Sequence, residues 1–157
     1  MIEKQINITY KIAQSIVEFD TAHQKLIKST IAFAAQAYAP YSNFRVSAAL
    51  ILENGELLKG TNVENASYPV SICAERTLVS HAVSNYPNIK IKTIAVYVDK
   101  TMTTPVPPCG LCRQTLLEVE QRQQSPIQLL LIANENQIYI FEKCGDLLPL
   151  AFDGNFL

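Results

Sequence analysis

The sequence has no tryptophan, few glycines and few charged residues, and these shortages exclude several classes of protein. Only 17% of the 157 residues are charged, whereas 48% are hydrophobic, so the chain is not intrinsically disordered. Five glycines and eight prolines are too few for a collagen-like or low-complexity chain. The 13 basic and 14 acidic residues give a net charge of −1 without a basic run, so nucleic acid is not indicated as a partner.

The sequence also lacks any run long enough to span a membrane, and its first residues contain no apolar stretch typical of a secretory signal. These features predict a cytoplasmic chain without a membrane partner. The length predicts one compact domain, residues 1–157. In the cytoplasm, cysteines serve as metal ligands or reactive thiols more often than as disulfides. The four cysteines here are Cys73, Cys109, Cys112 and Cys144.

The hydrophobic pattern predicts an α/β fold. Apolar residues at helical spacing predict helices over about residues 21–39, 73–84 and 109–121. Alternating or β-branched runs predict strands over residues 6–12, 44–52, 56–63, 91–98, 127–133 and 137–141. Asn54-Gly55 is a strong hairpin signal between two of these strands. The order of elements favours a mixed sheet with helices on its faces.

Three of the cysteines stand at the starts of two predicted helices. Cys73 opens one helix, and Cys109 and Cys112 open the next. A helix N-terminus carries partial positive charge and free N–H groups, which stabilise thiolates. Three thiolates can hold one Zn²⁺ and leave its fourth position open, as in a catalytic rather than a structural zinc site. The spacing therefore predicts one zinc site.

The other candidate ligands are less suitable. His81 lies about two helical turns beyond Cys73, or roughly 12 Å along the helix axis. His23 is expected at the surface near the start of the first helix. Cys144 is expected to be a buried thiol without a ligand role.

Two charged residues, Glu75 and Arg76, lie two and three residues after Cys73. Glu75 has the chemistry to exchange protons with a zinc-bound water and a leaving group, although acidic residues also occur at helix starts because of the helix dipole. Arg76 has the chemistry to hydrogen-bond the sulfur ligands and offset their negative charge, although most arginines face solvent. For each of these two residues, the sequence pattern alone does not decide between a role in the zinc site and an ordinary position at a helix start or on the surface.

The motifs Cys73–Arg76 (CAER) and Pro108–Gln114 (PCGLCRQ) resemble those of the homotetrameric zinc-dependent cytidine deaminases. Segments 38–46 (YAPYSNFRV), 60–66 (GTNVENA) and 147–152 are similar to the same family. The resemblance covers about residues 20–152. It implies a three-layer α-β-α sandwich with a mixed sheet of about five strands, to which the N-terminal segment adds an extra strand.

The resemblance further implies zinc-dependent hydrolytic deamination of cytidine and 2′-deoxycytidine to uridine and 2′-deoxyuridine, with release of ammonia, in pyrimidine salvage. It implies that one zinc per chain is bound by Cys73, Cys109 and Cys112, that Glu75 carries protons, and that Arg76 supports the sulfurs. The implied substrate contacts are Phe44, Asn62, Glu64 and Ala74. The implied assembly is a homotetramer, with a homodimer as the lesser option.

The sequence departs from the family pattern at two positions. Ser47 stands where the family usually has glycine, and Leu150 stands where a small residue or glycine is common. Neither position touches the expected metal ligands, so we expect these departures to affect packing and the subunit interface rather than the chemistry.

Three alternative functions are compatible with parts of the sequence. A blasticidin-type nucleoside deaminase shares the cysteine and glutamate motifs, but segment 60–66 favours cytidine. The spacing of Cys109 and Cys112 at a helix start is also that of a thiol–disulfide oxidoreductase, but the tryptophan expected beside that motif is absent. A zinc-stabilised binding module would need four protein ligands, and the sequence offers three.

Overall fold

The structure, a computed structural model, describes residues 1–157 and contains one six-stranded sheet. The strands are β1 (Lys11–Ala13), β2 (Val46–Leu52), β3 (Leu57–Thr61), β4 (Ile91–Val98), β5 (Gln128–Asn134) and β6 (Gln137–Phe141). The helices are α1 (Thr21–Phe33), α2 (Ala74–Asn85) and α3 (Gly110–Arg122). No helix combines the length and the apolar character needed to cross a membrane.

The sheet has the strand order β1-β6-β5-β4-β2-β3. Only β4 and β5 pair in parallel, and α3 is the crossover between them. Helix α1 packs on one face of the sheet, and α2 and α3 pack on the other. The predicted three-layer α-β-α sandwich with a mixed sheet and an extra N-terminal strand is confirmed.

The hydrophobic core lies on both faces of the central strands. Ala48 and Leu50 of β2 belong to the cluster beneath α2 and α3, whereas Ala49 packs with Leu26 and Ile27 of α1. Successive strand residues point to opposite faces, and here both faces are covered by helices. The central strands therefore consist of almost continuous hydrophobic runs rather than alternating ones.

The first predicted strand is shorter than expected and begins later. Only Lys11–Ala13 pair with β6, and residues 1–10 are exposed and belong to no strand. The reason is the length of the partner: β6 ends at Phe141, and Lys11 already pairs with Ile140. Tyr10 contributes its ring instead, which stacks on Phe141 with 5.2 Å between ring centroids.

The first helix also ends earlier than predicted. Helix α1 stops at Phe33 and continues as a single 3-10 turn over residues 34–36, after which Tyr38 forms a β-bridge with Val63. Its N-terminus agrees with the prediction, because the Asp20 side chain accepts a 2.8 Å hydrogen bond from the His23 backbone N–H.

Ser47 has a structural role that glycine could not fill. The residue is fully buried, and its hydroxyl donates a 2.6 Å hydrogen bond to the carbonyl of Thr30. At the end of α1 the N–H of Ala34 bonds to Ile31 rather than to Thr30, which leaves the Thr30 carbonyl without that helical partner. Ser47 satisfies this carbonyl and so ties α1 to β2. The second departure, Leu150, is exposed and has a φ of 55°, a conformation that glycine adopts more easily.

Candidate active site

A cavity of about 520 Å³ opens where α2 and α3 begin, beside the C-terminal end of β4. Val96 and Val98 of β4, together with Val46 and Ile72, form much of its apolar wall. Cys73, Cys109, Glu64 and Glu75 are among its polar lining residues. Ligands of open α/β sheets bind outside the carboxyl ends of the parallel strands, and the cavity follows this rule.

The structure brings three cysteines together at this cavity. The sulfurs of Cys73, Cys109 and Cys112 all lie within 4.8 Å of one another. Cys73 is the N-cap residue of α2, Cys109 is that of α3, and neither side chain caps its own helix. Because the side chains are not used as caps, the sulfurs approach each other. Cys73 Sγ is 3.8 Å from Cys109 Sγ, which is 3.5 Å from Cys112 Sγ.

These separations fit a zinc ion. With Zn–S distances of about 2.3 Å, two sulfur ligands of a tetrahedral site lie about 3.8 Å apart. No fourth histidine, cysteine, aspartate or glutamate joins the cluster. Cys73 and Cys109 line the cavity, so the cluster is accessible to a small molecule bound there. The three sulfurs therefore fit one zinc ion per chain with a position left for a non-protein ligand.

The surroundings of the cluster favour a thiolate at Cys73. Hydrogen bonding with Cys112 lowers the pKa of Cys73, and the positive charge of Arg76 lowers it further. The same hydrogen bonding, together with burial, raises the pKa of Cys112. Cys73 is therefore the more acidic of these two thiols, in agreement with its place at a helix N-terminus.

Glu75 lies in the first turn of α2 and lines the same cavity. Its side chain is almost buried, with 5% of the residue exposed. Burial raises the pKa of its carboxyl group, because a low-polarity environment disfavours the charged form. A raised pKa makes this carboxyl group a better proton acceptor than an ordinary glutamate, which is a property that a proton carrier needs.

Arg76 differs in one respect from the sequence expectation. The residue is half-buried, but its guanidinium donates no hydrogen bond to any sulfur of the cluster. Its effect on the cluster is electrostatic, since its charge lowers the pKa of Cys73. The structure therefore contains no such hydrogen bonds, and compensation of the negative charge of the sulfurs by Arg76 stays a prediction.

Asn62 follows β3 directly and is held by two backbone groups. Its Oδ1 accepts a 2.8 Å hydrogen bond from the N–H of Val46, and its Nδ2 donates a 2.8 Å bond to the carbonyl of Phe44. The side chain thus bonds to the backbone at the start of β2, just beyond the end of β3. One N–H and one acceptor position of the Asn62 amide are left for a ligand.

Glu64 is fixed in a similar way by the loop before β2. One carboxylate oxygen, Oε2, accepts hydrogen bonds from the backbone N–H groups of Tyr41 (2.9 Å) and Ser42 (3.3 Å). The other oxygen, Oε1, accepts one from the Ser42 hydroxyl. The Ser42 hydroxyl lowers the pKa of Glu64, so this residue is a carboxylate near neutral pH. Three of its roughly four acceptor positions are used, and one remains.

The other two expected substrate contacts have different positions. Phe44 lines the cavity, and Lys100 Nζ lies 5.1 Å from the centroid of its ring. Ala74 does not line the cavity, because its side chain is fully buried in the core beneath α2. The buried side chain is thus unable to reach a ligand in the cavity, and a substrate contact of Ala74 through its backbone stays a prediction.

The three residues that the sequence analysis considered unsuitable as zinc ligands do not belong to the cysteine cluster. Cys144 is buried in the core, as expected, and burial raises the pKa of its thiol well above the usual value. His81 is exposed and bonds to Asn85. His23 is half-buried rather than exposed, because its ring lies between Asp20 and the Thr93 hydroxyl.

Two residues that support the site were not identified from the sequence. Arg113 donates hydrogen bonds to the carbonyls of Pro108 (2.8 Å) and Leu147 (3.1 Å), and so anchors the residue that precedes Cys109. The carboxylate of Glu120 accepts hydrogen bonds from three backbone N–H groups, those of Ile127, Cys144 and Gly145. The turn after β6 is thereby attached to α3.

The sequence and fold are similar to those of known deaminases. Residues 20–125 match the sequence model of the cytidine and deoxycytidylate deaminase zinc-binding region. A cytidine deaminase from Halalkalibacterium halodurans is 44% identical over 96 residues, which are 61% of this chain and 70% of that protein. A cytidine deaminase from Mycobacterium tuberculosis is 36% identical over 121 residues, 76% of this chain and 80% of that protein.

A solved structure shows the same similarity in three dimensions. The crystal structure of cytidine deaminase from Burkholderia pseudomallei superimposes with a TM-score of 0.72 and 38% sequence identity, covering 83% of this chain and 98% of that one. The fold and the three-sulfur cluster thus define a hydrolytic deaminase with a zinc site. The chain belongs to the cytidine and deoxycytidylate deaminase family.

Proposed function

We propose that the protein catalyses the hydrolytic deamination of cytidine and 2′-deoxycytidine to uridine and 2′-deoxyuridine, with release of ammonia, as a step of pyrimidine salvage. The observation that carries this proposal is a single cavity that contains the zinc-compatible sulfurs, the buried Glu75 and the polar pair Asn62 and Glu64. The relatives named cytidine deaminase support the choice of base and sugar.

The charge of the cavity favours a nucleoside over a nucleotide, although the family includes deoxycytidylate deaminases. The lining residues include Glu64 and Glu75 but no lysine or arginine. A phosphate group is usually bound by such cationic side chains or by free backbone N–H groups. The Tyr41 and Ser42 N–H groups already bond to Glu64, so they are not free to bind a phosphate. The nearby cation Lys100 lies against the ring of Phe44 and is not among the lining residues.

The free positions on Asn62 and Glu64 match one hydroxyl group. A hydroxyl donates one hydrogen bond and accepts up to two. Glu64 has one acceptor position left, and Asn62 has one N–H left, so a sugar hydroxyl can donate to the first and accept from the second. We assign this role to the ribose 3′-hydroxyl. The pyrimidine ring would then lie against Phe44 and the apolar wall formed by Val96 and Val98.

We assign the chemical step to the cysteine cluster and Glu75, which line the same cavity. Cys73, Cys109 and Cys112 would hold the zinc ion, whose contribution when bound is to lower the pKa of water toward neutrality. Glu75 accepts the proton of the attacking water and delivers it to N3 of the pyrimidine ring, which makes C4 more electrophilic. It then assists protonation of the departing amine. Water and cytidine are consumed, and uridine and ammonia are formed.

The direct test of the function is the absorbance change on addition of cytidine, with a metal-stripped sample measured in parallel. Activity in the first sample and its loss in the second support a zinc-dependent deaminase. A thiol–disulfide oxidoreductase or a binding module would leave the absorbance of cytidine unchanged in both samples. A comparison of kcat/KM for cytidine and blasticidin separates the two nucleoside deaminase alternatives.

Discrimination at the sugar tests the assignment of Asn62 and Glu64. We expect 3′-deoxycytidine to be a much poorer substrate than cytidine, by about 10²-fold or more in kcat/KM, because the two polar groups would remain unpaired. Free cytosine should be poorer still. Steady-state kinetics with the three compounds measures this, and 2′-deoxycytidine is the matched control because it keeps the 3′-hydroxyl. Equal kcat/KM for cytidine and 3′-deoxycytidine would remove both residues from the site.

Loss of the positive charge beside the cluster should reduce activity without unfolding the protein. We expect Arg76→Ala to retain the fold and some zinc but to lose about tenfold or more in kcat/KM, because three thiolates without compensation make the metal less acidic. Arg122→Ala, in the last turn of α3, is the control for loss of an arginine far from the cavity. Turnover equal to that of the parent would show that Arg76 has no part in the reaction.

We further propose a homotetramer, or failing that a homodimer, located in the cytoplasm. Tyr68 lines the cavity, Val70 directly precedes the lining residue Ser71, and Leu111 lies between Cys109 and Cys112. Each of the three is about two-thirds exposed. Neighbouring copies that cover these side chains would also exclude bulk water from the cavity. A reducing compartment is consistent with thiols that must stay free for a metal.

A further inference from the structure

We infer that Ser42 is a positioning residue for the sugar-binding carboxylate, and that its hydroxyl couples Glu64 to the backbone of Phe44. The inference rests on the proposed function, since the orientation of Glu64 affects turnover only if this carboxylate binds the sugar. Ser42 is neither a metal ligand nor a proton carrier in that proposal. It acts through Glu64, which is assigned to the sugar, and through Phe44, which is assigned to the pyrimidine base.

The hydrogen bonds of Ser42 connect these two residues directly. Its hydroxyl donates to Glu64 Oε1 and accepts a 2.9 Å hydrogen bond from the backbone N–H of Phe44. Its own backbone N–H donates to Glu64 Oε2 at 3.3 Å. One serine therefore contacts both oxygens of the carboxylate and the main chain of the residue beside the base.

The backbone conformation of the loop makes this convergence possible. Asn43 has a φ of 53°, in the left-handed region that asparagine tolerates better than most residues. Its N–H donates a 3.1 Å hydrogen bond to the carbonyl of Ala39, which closes the turn. The residues of this turn are 40–42, and directly after Asn43 the Phe44 N–H donates to the Ser42 hydroxyl two residues earlier.

The two oxygens of Glu64 differ in how they are held. Oε2 has two backbone partners, which a side-chain substitution leaves in place. The Ser42 hydroxyl is the only protein donor to Oε1, the oxygen with the free position for the sugar. Without that hydroxyl, the carboxylate can rotate about its remaining bonds and no longer presents a fixed acceptor. The cysteines and Glu75 share no hydrogen bond with Ser42, so the chemical step should be unaffected.

The test is Ser42→Ala, with steady-state kinetics on cytidine and 3′-deoxycytidine. Hydrogen bonds to charged groups are among the stronger ones in proteins, and we expect KM for cytidine to rise about tenfold with little change in kcat. The preference for cytidine over 3′-deoxycytidine should fall by a similar factor. A merely structural role would not reduce this preference. Ser42→Thr keeps the hydroxyl and should restore it.

Two further variants isolate the coupling. Ser84→Ala removes a serine that is exposed and makes no side-chain hydrogen bond at the far end of α2, and should behave as the parent. In a Glu64→Ala background, Ser42→Ala should reduce the preference no further, because the two residues act as one unit. Independent, additive losses would contradict the coupling.

The outcomes separate the inference from the function on which it rests. A parent protein that does not deaminate cytidine overturns both. A parent that does, combined with a Ser42→Ala variant of unchanged KM and unchanged preference, overturns only the inference. A loss of kcat and melting temperature with unchanged preference also overturns it. If Ser42→Ala does not fold, Ser42→Gly removes the same hydroxyl and is judged by the same ratio.

Discussion

We expect Glu75→Gln to bind zinc and to melt like the parent while kcat falls by about 10⁴-fold or more. General acid–base catalysis is typically worth 10²–10⁴ in rate, and here one carboxyl group would serve two successive proton transfers. Glutamine keeps the size of the side chain and its capacity for hydrogen bonds, but it cannot accept a proton. The measurements are kcat, zinc content and melting temperature of the same preparation.

The pattern of results distinguishes the possible roles of Glu75. Loss of zinc would make the residue a metal ligand or a support for one. A small shift in melting temperature with normal kcat would indicate an interaction with the helix dipole only, which is worth about 0.3–1 kcal/mol at exposed sites. Glu118→Gln is the matched control, since Glu118 lies on the exposed face of α3. Its variant should retain normal kcat.

The second large effect is expected for Cys109→Ser, which should lose most of its zinc and part of its stability. A serine hydroxyl is a poor substitute for a thiolate, and two remaining sulfurs hold zinc much less tightly than three. Binding to the folded state stabilises it in proportion to the logarithm of ligand concentration over Kd, so the melting temperature should fall with the zinc content. Metal analysis and thermal unfolding, each with and without added zinc, test this expectation.

The fourth cysteine provides the control for this variant. Cys144 is buried in the core and lies outside the cluster, so Cys144→Ala should retain one zinc per chain even if its packing is less stable. Comparison of Cys109→Ser with Cys144→Ala therefore distinguishes a loss of zinc from a loss of stability caused by packing alone. Full zinc occupancy in Cys109→Ser would contradict the assignment of the metal site.

The fold was most predictable where the local pattern and the tertiary environment agree. The β-branched run over Ile91–Val98 forms β4 with the predicted bounds, because this strand is central and covered on both faces. The starts of α2 and α3 lie within one residue of their predicted positions. Residues 6–10 have an equally clear alternating pattern but form no strand, since a strand requires a partner and β6 ends at Phe141.

The cysteine cluster was more predictable from the sequence than the polar residues assigned to the sugar. The cysteines could be expected together because both helix starts belong to neighbouring crossovers of one sheet. Asn62 and Glu64 were expected only from the family resemblance, since their spacing alone is typical of a turn. Ser42 could not be found, because its partner Glu64 lies 22 residues away and no periodic pattern links them. The Arg113 and Glu120 contacts were missed for a different reason: their partners are backbone carbonyl and N–H groups, which are the same for every residue type and leave no pattern in the sequence.

The strand order of the sheet determines when its parts can form during synthesis. Lys11 of β1 pairs with Ile140 of β6, and a ribosome adds only about 5–20 residues per second. The first strand therefore leaves the ribosome seconds before its partner exists. All three cysteines of the cluster also precede β5, the strand that supports β4 from the other side. A nascent chain thus contains all three cysteines before β5 and β6, and with them the partner of β1, have been synthesised.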